Sequence, residues 1–108
     1  MKKIFPCVVG LGYVGLPVFI SLKKKFQVIG FDIDKKRVQD LNHQIDVNNE
    51  FKNYQLKLSN KSIITNKESN LKKCNFFIVT VPTPINNNKI PNLRYIVSAF
   101  KTIGKYIK

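Results

Sequence analysis

Residues 8–17 read VVGLGYVGLP, and the fold turns on how they are interpreted. Gly10, Gly12 and Gly15 stand in the order G-x-G-x-x-G, directly after the apolar run KIFPCVVG at 3–10. A short, nearly continuous apolar run suits a strand buried on both faces, as in a parallel sheet. Pro6 is tolerable near its start. Beyond the glycines, Val14, Val18 and Leu22 recur every four residues. That spacing predicts a helix over Tyr13–Lys25, with Pro17 in or just past its first turn and Lys23, Lys24 and Lys25 at its negative end.

The rest of the chain continues the alternation. FQVIGFDID (26–34) reads as a second strand. KKRVQDLNH (35–43) reads as a second helix with Val38 and Leu41 facing inward and Asp34 as its cap. Residues 44–61 are polar, a loop with a short helix in it. SIIT (62–65) is a third short strand and ESNLKKC (68–74) a helical turn. NFFIVTV (75–81), full of β-branched and aromatic residues, is the strongest strand. PTPINNNKIP (82–91) is a loop. The segment 92–108 is a last amphipathic helix, apolar at Ile96, Val97, Phe100, Ile103 and Ile107, with Asn92 as its cap. The order β-α-β-α-β-(α)-β-α predicts an α/β fold: a parallel sheet with helices on its faces.

In that setting the glycine pattern gains meaning, because it follows a strand and opens a helix, and the next strand ends in Asp32 about 20 residues on. Gly10 allows the tight turn. Gly12, without a Cβ, lets a pyrophosphate approach the backbone. Gly15 lets helix and strand lie close. The helix N-terminus offers free N–H groups and partial positive charge to phosphates. Asp32 can accept hydrogen bonds from both ribose hydroxyls of an adenosine and would repel a 2′-phosphate. The expected cofactor is therefore NAD rather than NADP. Glycines that serve only packing are the competing interpretation.

Composition narrows the function classes. The chain of 108 residues suffices for one small domain with a modest core. Its hydrophobic share of 44% is that of a globular protein, and no apolar run approaches the roughly 20 residues a membrane helix needs. The start mimics a signal peptide but is interrupted by Gly and Pro, so a cytoplasmic protein with no membrane partner is expected. The net charge of +13 invites a nucleic-acid interpretation. Yet only Arg37 and Arg94 among nineteen basic residues are arginines, and the lysines are scattered rather than interleaved with aromatics. Solvated surface is the expected role of that charge, and no nucleic-acid partner is expected. Cys7 and Cys74 lack C-x-x-C spacing and read as buried free thiols. His43 reads as a surface residue near a helix end. No metal site is expected.

VVGLGYVGLP, VIGFDIDKKRV (28–38) and CNFFIVTVPTPIN (74–86) together resemble the UDP-glucose/GDP-mannose dehydrogenase family. They look most like the branch acting on UDP-N-acetylhexosamines (GlcNAc, ManNAc, GalNAc) in bacterial surface-polysaccharide synthesis. IDVN at 45–48 also fits that branch, and the resemblance runs from about Lys3 to the end of the chain. It implies a Rossmann-type domain and an NAD-dependent oxidoreductase that oxidises the C6 alcohol of a UDP-sugar to a carboxylate. It further implies that the backbone around Tyr13 and Val14 binds the pyrophosphate, beside Gly10, Gly12 and Gly15. Asp32 would bind the adenosine ribose, Arg37 would lie on the adenosine side, and Thr83 would touch the cofactor near its nicotinamide half. The family's catalytic cysteine has no match in Cys7 or Cys74, so no catalytic residue is expected here.

The resemblance makes residues 1–108 an incomplete Rossmann domain of about four strands in the order 3-2-1-4, lacking the central and C-terminal nucleotide-sugar domains. An N-terminal piece of a longer enzyme, or a truncated reading frame, is expected. A stand-alone nucleotide-binding module and a basic nucleic-acid-binding domain are the alternatives. NFFIVTV has neither charge nor proline between Phe76 and Val81 to protect an open edge, so self-association is also expected.

Overall fold

The computed structural model describes residues 3–107. Four strands, β1 (Pro6–Val9), β2 (Ile29–Phe31), β3 (Ile63–Thr65) and β4 (Phe76–Val79), form one parallel sheet in the order β3-β2-β1-β4. Three α-helices accompany it, α1 (Gly15–Lys23), α2 (Lys35–Asn42) and α3 (Arg94–Gly104), together with 3-10 turns at Asn53–Leu56 and Glu68–Lys73. This is the expected α/β alternation and strand order. Lys108, the last residue of the segment read as the final helix, lies outside the described residues.

The central strand explains its own composition. β1 pairs with β2 on one side and β4 on the other, and all four of its residues are buried. Val8 points into a core shared with Leu16, Phe19 and Leu41 from α1 and α2, while Cys7 and Val9 point to the opposite core, with Leu71, Ala99 and Ile103. A strand covered on both faces has no use for a polar residue at alternate positions, hence the continuous apolar run. In β2, Gly30 makes room for the Phe19 ring: a Cβ there would stand 3.0 Å from Phe19 Cδ1.

Two helix faces differ from expectation. In α1 the buried residues are Gly15, Leu16, Phe19, Ile20 and Lys23, while Val14 is exposed and Val18 and Leu22 are half-buried. The segment is apolar almost all round, so periodicity could not select its inward face. The close packing of Gly15 against the glycine turn selects it. α3 ends at Gly104, short of the expected span; in it only Ala99 and Ile103 are buried, whereas Val97 and Phe100, and Ile107 beyond it, are exposed. The expected apolar face is present, but only part of it meets the sheet. Asn92 precedes the cap position, held by Leu93, and its Oδ1 accepts from Arg94 N at 3.0 Å.

The strand-to-helix connections behave as read. Asp34 caps α2, its Oδ1 accepting from the N–H groups of Lys36 and Arg37, and Val38 and Leu41 are buried. His43 is exposed at the end of α2, its Nδ1 2.8 Å from Gln39 O. Cys7 and Cys74 are free, buried thiols. The hydrogen bond to Cys74, and then burial, push the Cys7 thiol up, so it stays protonated at neutral pH.

Candidate functional site

The chain winds outward from β1 through β2 to β3, then returns to the other side of β1 as β4. Beyond the carboxyl ends of β1, β2 and β4 this reversal leaves a cleft of about 760 Å³. Its walls include Gly10 and Gly12–Val14 of the glycine loop, Asp32 at the end of β2, Arg37 of α2 and Thr83 after β4. Seven of the eight residues expected to contact a cofactor thus line one cavity; the eighth, Gly15, does not, and as the first residue of α1 it packs against Gly10 and Thr80.

The three glycines have three distinct reasons. Gly10 adopts φ +98°, and a Cβ would meet the Thr80 backbone at 3.0 Å. At Gly15 a Cβ would collide with the Gly10 carbonyl oxygen and with Thr80 Oγ1. Gly12 is different, since a Cβ there would meet no protein atom within 4 Å. The protein's own packing makes no demand for glycine at that point, which opens onto the cleft.

The helix that follows is open to an anion. The N-cap of α1 is Val14, which makes no side-chain capping bond, and no acidic residue stands in the first turn. Leu16 N donates to Gly12 O at 3.1 Å and Pro17 has no N–H, so the N–H groups of Val14 and Gly15 are the ones left to an anion, which the helix dipole also favours. Tyr13 and Val14 line the cleft and are 66% and 65% exposed. α2, by contrast, is closed by Asp34.

Asp32 and Arg37 both grip Leu11. Asp32 Oδ2 accepts from Leu11 N at 2.9 Å and Oδ1 from Asp34 N at 2.9 Å. Each carboxylate oxygen keeps a second lone pair for a ligand hydroxyl. Arg37 is 8% exposed, not solvated. Its Nε donates to Leu11 O at 2.8 Å and its Nη1 to Asp46 Oδ1 at 2.9 Å, while Nη2 is buried without an acceptor. Burial alone would raise the Asp46 carboxyl. The hydrogen bonds from Arg37 and from the backbone of Asn48, Phe51 and Glu50 outweigh it and hold the carboxyl below the usual carboxylate range.

Two participants escaped the sequence reading. Thr80 donates through Oγ1 to Gly10 O at 2.7 Å, tying the glycine turn to the end of β4 across 70 residues of sequence. Asp46 anchors Arg37. The only sequence signal for Asp46 was the IDVN stretch, and Thr80 was hidden among the β-branched residues of NFFIVTV.

A glycine turn at the point where strand order reverses, an uncapped helix behind it and an acid ending the next strand define a dinucleotide-binding domain of the doubly wound α/β class. Residues 3–108 match the NAD binding domain of the UDP-glucose/GDP-mannose dehydrogenase family, and the chain belongs to that family. UDP-N-acetyl-D-glucosamine 6-dehydrogenase of Pseudomonas aeruginosa is 45% identical over 108 residues, which is 100% of this chain and 26% of the relative. The protein of the same name from Salmonella typhi is 43% identical over 97 residues, 90% of this chain and 23% of its own length. Among solved structures, UDP-D-ManNAc dehydrogenase from Pyrococcus horikoshii superposes with a TM-score of 0.82 at 29% identity, covering 96% of this chain and 26% of that one. The chain spans about a quarter of the length of the curated relatives it matches. Its cofactor is NAD.

Proposed function

We propose that the chain supplies the NAD site of a nucleotide-sugar 6-dehydrogenase that oxidises the C6 alcohol of a UDP-N-acetylhexosamine to a uronate for surface-polysaccharide synthesis. The observation that carries the reading is the gathering of Gly10, Gly12, Asp32, Arg37 and Thr83 around one cleft, where a Cβ on Gly12 would meet no protein atom. The substrate class rests on the relatives, which bear the name UDP-N-acetyl-D-glucosamine 6-dehydrogenase at 43% and 45% identity. The N–H groups from Gly12 to Gly15 receive the pyrophosphate, Asp32 receives the adenosine ribose, Arg37 supports the adenosine side, and Thr83 meets the nicotinamide half. Bound NAD supplies the hydride acceptor. No cysteine or histidine lines the cleft among the described residues. The chain by itself therefore holds the cofactor without turning over a UDP-sugar, and enzyme-dependent NADH formation by the pure 108-residue protein would overturn this part.

Two further readings belong to the proposal. The free thiols of Cys7 and Cys74 fit a reducing compartment, the cytoplasm. Among the described residues β4 pairs only with β1, and Phe76 is 54% exposed, so the chain self-associates along this edge.

Titration with NAD and NADP tests the site. A 2′-phosphate at Asp32 would bring like charges together in a partly desolvated place, so NAD should bind at least about tenfold more tightly, and Asp32→Asn should narrow the gap. Equal curves for the two cofactors would sink the assignment of Asp32.

A further inference from the structure

We propose that Asp46 is a positioning residue for the cofactor: by fixing Arg37 it holds the Leu11 carbonyl, and so aims the amides of residues 12–15 at the pyrophosphate. This rests on the NAD site described above.

The geometry is a chain of three contacts. Leu11 is held on its N–H by Asp32 at 2.9 Å and on its carbonyl by Arg37 Nε at 2.8 Å, and its side chain is wholly buried. It lines the cleft with Gly10 and directly precedes the amides of residues 12–15. Arg37 in turn depends on Asp46, whose side chain is 0% exposed and whose Oδ1 takes Nη1 at 2.9 Å. The remaining capacity of Asp46 is spent on its own loop: Oδ1 accepts from Asn48 N at 3.1 Å, and Oδ2 from Glu50 N at 2.9 Å and Phe51 N at 3.1 Å. These four bonds leave the carboxylate with no freedom to rotate away from Arg37.

The arrangement makes poor sense as a stabiliser alone. Burying two opposite charges costs desolvation that their attraction only partly offsets, and apolar residues of similar volume usually serve stability as well. An apolar pair cannot do what Arg37 Nε does, which is to fix the direction of a carbonyl one residue ahead of the phosphate-facing amides. Without Asp46 the guanidinium would be a lone buried cation, drawn toward solvent, and Leu11 O would lose its donor. The cofactor site would then be assembled from a loop free to reorient.

The test uses the 108-residue protein and the variants Asp46→Asn, Arg37→Gln and their combination. Amide hydrogen exchange over residues 11–15 is followed without ligand, and NAD affinity is followed by titration corrected for the folded fraction. The proposal expects Asp46→Asn to speed exchange at residues 11–15 and to weaken NAD binding by about tenfold. In the Arg37→Gln background it should add less than about twofold, because both substitutions break one link. If Asp46→Asn lowers thermal stability but leaves the exchange at residues 11–15 unchanged and NAD affinity within about twofold, Asp46 is structural only and the proposal is overturned. Absence of NAD binding by the unmodified protein would remove the cofactor reading instead, and the exchange data alone would then judge the positioning. Should Asp46→Asn fail to fold, Arg37→Lys takes its place. It keeps a cation beside Asp46 but loses the planar fork, so it should show the same loosening and the same loss, and wild-type behaviour in both would refute the link.

Discussion

β1 has two flanks built from the same parts, an apolar strand followed by an amphipathic helix, and they are finished very differently. On the β2–α2 flank the helix is capped by Asp34, its buried charges are paired or hydrogen-bonded to the glycine loop, and the loop beyond it folds back on Asp46. On the β4–α3 flank the cap residue, Leu93, makes no side-chain capping bond, and Arg94 N is held by Asn92 Oδ1. Val97 and Phe100 are 47% and 58% exposed, and β4 has a partner on one side only among the described residues. An apolar pattern in the sequence thus states that a face is suited to burial. Whether it is buried depends on what lies next to it.

The largest expected effect contrasts the flanks directly. Asp46→Ala should cost about 3–5 kcal/mol of stability by leaving Arg37 as an unpaired buried cation, whereas Phe100→Ala should stay within about 0.5 kcal/mol. Urea unfolding of both variants checks this. A large loss at Phe100 would mean that its ring is covered in solution, which would erase the contrast. The contribution of Asp46 also has a defined pH window. Its folded pKa lies below its unfolded value, so the stabilisation is complete above the ordinary aspartate value of about 3.9 and is lost as pH falls through the folded one. The stability gap between the protein and Asp46→Asn should be level from about pH 5 to 7 and shrink below about pH 4.

The glycine loop, which both flanks touch, allows a sharper separation of fold from function. Gly12→Ala meets no protein atom and should leave the melting temperature within a degree or two, yet weaken NAD binding by about tenfold or more. Gly15→Ala should damage both, because its Cβ would strike Gly10 and Thr80. Equal effects of the two substitutions on melting would show that Gly12 answers to packing after all. The smallest expected effect lies on the open flank. Sedimentation over a concentration series should reveal self-association, and Phe76→Lys should reduce it by placing a charge on the edge. A concentration-independent monomer would show that the edge is not available.

Much of the fold was legible beforehand because it depends on neighbours in sequence. The element order follows from apolar periods, the α2 start from Asp34 followed by a helical pattern, and the loop geometry from glycines at fixed offsets. The faces of α1 and α3 were not legible. GLPVFISLK is apolar in nearly every direction, and nothing within a helix states how wide a surface will be offered to it. The same limit applied to the site. Gly10, Gly12, Gly15 and Asp32 announce themselves by spacing, and the resemblance to a known family drew attention to Tyr13, Val14, Arg37 and Thr83. The grip of Arg37 on Leu11 spans 26 residues and that of Thr80 on Gly10 spans 70, and no local pattern records either.

By itself, the sequence determined the class of this protein: a parallel α/β sheet with a dinucleotide turn at its centre. Strand and helix periods and the conformational freedom of glycine act over a few residues and can be read one segment at a time. Only the tertiary structure decided that Thr80 ties down the Gly10 carbonyl, and that Arg37 works through a backbone carbonyl with Asp46 behind it. Those outcomes depend on distances between segments far apart in the chain, where burial turns a surface charge into a directed hydrogen bond that must be satisfied.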